Sequence, residues 1–367
     1  MNYVMDRVED AYPELPDPDH IEEVLQGTAD FIAGVEGFSG AYTRAQQYLW
    51  SCLESSDTVS YKARVDGMEG MISEGFAAAW EYVAKIFKGL WNFFFGGGED
   101  SGDSKADKVE KQAEDTGKKM QKLETGNLSD EQATAVLKKG KAKAEKIQKS
   151  AKASPAAKSK AKSIEERILA QTSGKNKQKP ADTAKELMKQ LLEIDDELPV
   201  KLNARIQGID NALNTWQTRL NGNTVDKVVS AANKTTFTKA KTESQAALGT
   251  IKGLGLKTMA KITYPDAKKL VEDIRKALKA AREMLEKFKT HKGEIDNQLK
   301  SLKANAGNTN AGTDKAKKTQ GGKETEDLKK IATLLTNTAT AHVSIINQLS
   351  GMTDALDEAI AGSVIVI

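Results

Sequence analysis

Apolar residues recur every three to four positions along much of this chain, the spacing that places them on one side of an α-helix. In the C-terminal half, two such stretches cover residues 266–304 and 324–361. Residues 76–95 form the most apolar stretch, with aromatic side chains at helical spacing. Seven prolines in 367 residues leave long segments free to be helical. The pattern predicts an all-α protein.

Polar and glycine-rich stretches divide the predicted helices into segments. Residues 1–36 form an acidic leader, and residues 20–96 form a small N-terminal helical domain that ends at three consecutive glycines. Residues 97–180 are Lys-rich with few large apolar side chains, which predicts a flexible linker unable to bury a core of its own. Residues 181–361 predict three or four amphipathic helices in an elongated bundle or coiled coil, with a polar loop at 305–323.

Charge divides the chain more sharply than its net value of +3 indicates. Residues 1–100 contain six Lys or Arg and eighteen Asp or Glu, together with sixteen of the twenty aromatic residues. Residues 138–179 contain fourteen Lys or Arg and only three Glu. The N-terminal part therefore favours basic partners, whereas the later segment favours polyanions.

The chain shows no pattern typical of an enzyme. His20, His291 and His342 lie far apart, and the single cysteine, Cys52, has no histidine near it in sequence. No phosphate-binding loop, nucleophile elbow or zinc-protease motif occurs. The neighbouring carboxylates Asp195 and Asp196 are expected to be solvated on a charged helix. We expect no catalysis, no cofactor and no metal.

The lysine-rich segment suggests contact with nucleic acid. Lysines without interleaved aromatic residues favour non-specific binding to phosphates, and the scarcity of arginine argues against reading of bases. A solvated tether without a ligand is the alternative, because lysine and alanine form that equally well. The proposed contacts are Lys138, Lys139, Lys141, Lys143, Lys146, Lys149, Lys152, Lys158, Lys160 and Lys162.

The aromatic stretch at residues 76–95 predicts a core helix that also docks on a partner. Membrane insertion is disfavoured, because the surrounding module is acidic and only two lysines flank the aromatic face. No run of 18 apolar residues occurs, so no transmembrane helix is expected. The proposed docking residues are Trp80, Phe87, Trp91, Phe94 and Phe95.

Three segments together resemble a known group of proteins. They are DAYPELPDPDHIEE at residues 10–23, GVEGF at 34–38 and FKGLWNFFFGGG at 87–98. Residues 5–98 resemble the N-terminal part of internal head proteins from large tailed bacteriophages. The resemblance implies a non-enzymatic protein packaged with DNA in the head, located in the cytoplasm of the infected bacterium before assembly, with capsid or core proteins as partners.

The resemblance also implies trimming by a prohead protease. Such proteases cut after glutamate preceded by small or aliphatic residues, and the sequence Ala33-Gly34-Val35-Glu36 is similar to such a site. Cleavage after Glu36 would remove a leader with ten acidic residues and one arginine.

Two other functions remain open at this point. The aromatic helix and the long amphipathic helices also fit a membrane-active or exported effector. The helices alone fit a coiled-coil scaffold with no role in nucleic-acid binding. Formation of a homo-oligomer is compatible with each of these interpretations.

Overall fold

A computed structural model describes residues 102–173, 179–222, 231–289 and 315–360, together with a few isolated positions outside these ranges. The part that it describes is 87% helical and contains no strand, which confirms the all-α prediction. The acidic leader and the aromatic N-terminal domain lie outside the described residues, apart from isolated positions.

Eight helices make up the described part of the chain. Their bounds in chain order are α1 Gly102–Thr125, α2 Asp130–Lys149, α3 Pro155–Thr172, α4 Pro180–Glu193, α5 Glu197–Gly222, α6 Ala231–Gly253, α7 Tyr264–Lys289 and α8 Lys315–Ala359.

Residues 102–172, within the segment predicted to be a flexible linker, instead form three helices that share a core with α4. The buried members of this core in α2 and α3 include Val136, Leu137, Ile164 and Ile168. Alanines fill much of the remaining interface, so the helices approach closely and a few large side chains suffice. The linker prediction failed here because it counted large apolar residues and ignored their helical spacing.

A glycine allows a close approach of two helices in this core. A Cβ atom on Gly140 of α2 would lie 3.0 Å from the Met188 sulfur and 3.4 Å from Leu191 Cδ1, both on α4. The absence of a side chain at this position therefore lets the two helices pack against each other.

Side chains with local hydrogen bonds fix where several helices begin. Ser129 precedes α2 and forms a reciprocal capping box with Gln132, whereas Ser154 caps α3 immediately before Pro155. Thr263 and Asp266 form a similar reciprocal pair at the start of α7. These short polar contacts satisfy backbone groups that the first helical turn leaves unpaired.

The described parts of residues 181–359 contain five helices, where the sequence predicted three or four. The long helix expected at residues 266–304 begins at Tyr264 and is described continuously to Lys289. The final helix begins at Lys315, within the predicted loop 305–323, and two consecutive glycines at 321 and 322 do not end it. Each glycine costs about 1 kcal/mol in a helix, which the adjoining helical turns can offset.

The described residues fall into two compact units. The first comprises residues 105–213, 249–282 and 344–360, and it holds the shared core of α1 to α4. The second includes residues 214–222, 231–248, 283–289 and 315–343. In the second unit, Trp216 and His342 are buried, and Arg219 donates a hydrogen bond of 3.1 Å to Asn337.

Candidate polyanion interface

Helices α2 and α3 carry the lysines that the sequence proposed as nucleic-acid contacts. The two helices pack on each other and on α4, so their lysines occupy defined positions on a folded surface. Lys138 and Lys149 lie eleven residues apart, close to three helical turns, and therefore share one side of α2. The six exposed lysines among the ten candidates are Lys138, Lys146, Lys149, Lys152, Lys160 and Lys162.

Three of the ten lysines already have carboxylate partners. Lys141 lies 3.5 Å from Glu145 one turn later on α2. Lys143 lies 2.9 Å from Asp195, and Lys146 lies 2.8 Å from Glu358 near the end of α8. Within the described residues, no carboxylate partner is seen for Lys138, Lys149, Lys152, Lys158, Lys160 and Lys162. These six lie on α2, on α3 and, in the case of Lys152, in the turn between them; we call them the basic face, and they are the candidates for binding phosphates.

Lys143 points into the protein rather than toward solvent. Its side chain is 12% exposed, and its ammonium donates to Asp195 and, at 2.7 Å, to the carbonyl of Ala359. Burial lowers the pKa of Lys143, and the charge of Asp195 opposes that shift. The structure therefore removes Lys143 from the proposed phosphate contacts and gives it a structural role.

Asp195 connects this lysine to the start of α5. One carboxylate oxygen accepts hydrogen bonds from the backbone amides of Glu197 and Leu198, while the other contacts Lys143. The prediction that Asp195 and Asp196 lie on a helix was wrong, and only Asp196 is exposed to solvent as predicted, whereas the Asp195 side chain is 16% exposed. They occupy the turn between α4 and α5, and Asp196 accepts a hydrogen bond from the amide of Ser154 before α3.

Glu358 bridges two lysines on different helices. Its two oxygens lie 2.8 Å from the ammonium of Lys146 on α2 and 2.9 Å from that of Lys201 on α5. These hydrogen bonds lower the pKa of Glu358 to about 2, and the same contact raises the pKa of Lys146. Lys201 and Glu358 were not predicted from the sequence, because no spacing rule connects residues 146, 201 and 358.

A cavity of about 330 Å³ lies beside this cluster. Its lining contains four lysines and five carboxylates, including Lys143, Lys201, Asp195 and Glu358. Because opposite charges are present in similar numbers, the cavity favours neither anions nor cations. The ion pairs along its wall instead hold α2, α5 and the end of α8 together.

The Glu358 contacts predict a loss of stability in acid. The folded state lowers the pKa of Glu358 from 4.5 to about 2, so the unfolded state binds more protons between these values. The free energy of unfolding is therefore expected to fall as the pH decreases from about 4.5 toward 2. Urea titrations across this pH range should show a weaker decline for Glu358→Gln than for the wild-type protein; equal declines would contradict the assignment.

The docking residues Trp80, Phe87, Trp91, Phe94 and Phe95 lie outside the described residues, as does the proposed processing site at Glu36. Their roles stay predictions from the sequence.

The described residues contain no group of His, Cys, Asp or Glu side chains arranged to hold a metal ion. None of the described helices combines the length and the apolar character that crossing a membrane requires. Comparisons with protein-family models, with curated proteins and with solved structures give no match to this chain.

Proposed function

We propose that the basic face on α2 and α3 binds the DNA backbone without sequence specificity. The proposal rests on the difference between lysines that contact a carboxylate and lysines for which no carboxylate partner is seen among the described residues. Lys143 and Lys146 contact carboxylates on other segments, whereas no carboxylate partner is seen for the six basic-face lysines among the described residues. An ammonium on the surface can replace the counterions that surround DNA, and their release favours binding.

The chemistry of the basic face fits the backbone better than the bases. Lysine is a flexible point charge with no acceptor, so it contacts phosphate oxygens without selecting a base. The basic face contains neither arginine nor aromatic side chains, which are the groups that read guanine or stack on single strands. Duplex DNA of any sequence is therefore the proposed ligand.

The wider role that we propose is a structural protein packaged inside a bacteriophage head. Residues 5–98 supply the resemblance, and the acidic, aromatic N-terminal part would dock on capsid or core proteins. The basic face would then screen part of the charge of the packaged DNA. Mass spectrometry of purified phage particles tests this role directly. Absence of this protein from the particles would refute the role.

The DNA proposal predicts a specific change in salt dependence. Replacing Lys138, Lys149 and Lys152 together by alanine should flatten the slope of log K against log salt by about 2.7, or 0.9 for each lost phosphate contact. Fluorescence anisotropy with a labelled duplex at several salt concentrations measures this slope.

A matched control carries the same change of net charge elsewhere. Lys257, Lys261 and Lys269 are also exposed, but they lie before or at the start of α7. Their replacement by alanine should change the slope by much less than the triple substitution in the basic face does. Equal effects of the two triple variants would show that net charge, and not the basic face, determines DNA binding.

A coiled-coil scaffold without DNA binding is the second candidate. It is favoured by the ion pairs that hold α2, α5 and α8 together, since these use lysines for packing. Absence of DNA binding at low ionic strength would support the scaffold and refute the DNA proposal.

A further inference from the structure

The C-terminal end of α8 has an unusual charge pattern. Asp354, Asp357 and Glu358 lie in its last two turns, and the last turn contains no basic residue. The C-terminal end of a helix carries a partial negative charge, so carboxylates are unfavourable there. This end must therefore be stabilised by groups from elsewhere in the unit.

Positively charged side chains from three other helices supply that stabilisation. Lys119 on α1 lies 2.7 Å from Asp357, and Lys143 on α2 donates to the carbonyl of Ala359. Lys146 and Lys201 share Glu358. The acidic end of α8 thus behaves as an anionic ligand bound to lysines of the same chain.

The pair that holds Glu358 remains accessible to solvent. The side chains of Lys146 and Lys201 are 67% and 48% exposed, whereas that of Lys143 is 12% exposed. Each lysine contacts a different oxygen of one carboxylate, so both ammonium groups point toward the same small volume. A phosphodiester also presents two oxygens that share one negative charge, and these can accept the same two hydrogen bonds.

We infer that Lys146 and Lys201 form an additional phosphate-binding site for the DNA backbone, which Glu358 occupies in the absence of DNA. This inference rests on the proposed function of the basic face and extends that surface from α2 to α5. Glu358 competes with phosphate for the two lysines and thereby limits the affinity of the protein for DNA.

The experiment compares DNA binding by the wild type and Glu358→Gln. Glutamine keeps the shape of the side chain but removes the charge that attracts both lysines. The salt slope should become steeper by about 0.9, since the two released lysines together bind one more phosphate. Glu166→Gln is the matched control: Glu166 is exposed on α3, and its replacement removes the same charge without releasing this pair.

A second substitution locates the effect. Lys201→Ala is made in the wild-type and Glu358→Gln backgrounds, and it should reduce affinity several-fold more in the latter. Equal reductions in the two backgrounds would overturn the inference. Circular dichroism of each variant establishes that the helical content is unchanged.

Hydrogen exchange on the wild-type protein provides a readout without substitutions. If phosphates displace Glu358, saturating duplex DNA should increase amide exchange in residues 354–359. Unchanged or slower exchange there in the saturated complex would refute displacement.

The outcomes separate this inference from the proposed function. If the wild type binds DNA through the basic face, and Glu358→Gln and Glu166→Gln have the same salt slope, the inference fails and the proposed function stands. If only Glu358→Gln binds, the pair is the main DNA site and Glu358 blocks it, which supports the inference. If neither protein binds at low salt, both proposals are wrong.

Discussion

Replacing Leu191 by alanine is expected to lower the free energy of unfolding of the first unit by about 3–5 kcal/mol. Leu191 is fully buried on α4, and one of its methyl groups lies in the space left open by Gly140 on α2. Alanine would remove apolar contacts and leave a cavity that the surrounding helices can fill only in part. Urea unfolding followed by circular dichroism measures the loss.

Leu169→Ala is the matched control for this prediction. Leu169 lies on α3 in the same unit, but it is 43% exposed. Its truncation should lower the free energy of unfolding by well under half as much as that of Leu191, because a smaller part of the removed apolar surface was buried. Similar costs at the two positions would mean that α2, α3 and α4 do not share the packed core described above.

Replacing Lys143 by methionine is expected to destabilise the first unit by about 3 kcal/mol. Methionine fills a similar volume but cannot donate a hydrogen bond, so the carbonyl of Ala359 and one oxygen of Asp195 lose their ammonium partner. An unpaired carboxylate that is only 16% exposed is costly. Lys160→Met, on an exposed position of α3, should change stability by less than about 0.5 kcal/mol.

A second substitution separates the charge of Asp195 from its role at the start of α5. Lys143→Met combined with Asp195→Asn keeps an oxygen for the backbone amides of Glu197 and Leu198 but removes the unpaired charge. The double variant should therefore be more stable than Lys143→Met alone. Equal stability of the two variants would contradict a buried Lys143–Asp195 pair.

The titration of Lys143 gives this prediction an additional pH signature. Since burial lowers its pKa below 10.5, the unfolded state binds more protons between the lowered value and 10.5. Lys143 therefore makes the free energy of unfolding rise with pH in that interval. Lys143→Met should lack this contribution when unfolding is measured across the same pH range.

The helices were predictable where apolar side chains recur at helical spacing. Residues 266–304 and 324–361 were assigned to helices in this way, and helices α7 and α8 include much of both ranges. The segment 97–180 was misjudged, because its core consists largely of alanines with a few isoleucines and leucines. Composition alone makes such a segment resemble a tether, whereas packing against α4 supplies the burial that stabilises it.

The candidate site was only partly visible in the sequence. The ten lysines were identified by their density, which is a local property. Local density does not distinguish Lys143, which is directed into the protein, from Lys138, which is exposed. That difference depends on which side of α2 faces the core and on where Asp195 and Glu358 lie after folding.

The sequence by itself determined the helical class, the lysine-rich composition of α2 and α3, and the caps that start these helices. These features depend on side-chain spacing and on hydrogen bonds between residues close together in the chain. Tertiary structure alone decided that Lys146 and Lys201 are paired, because Glu358 reaches them across 212 and 157 positions. Ion pairs at such separations follow from how the helices pack, and this packing separates Lys143 and Lys146 from the lysines of the basic face.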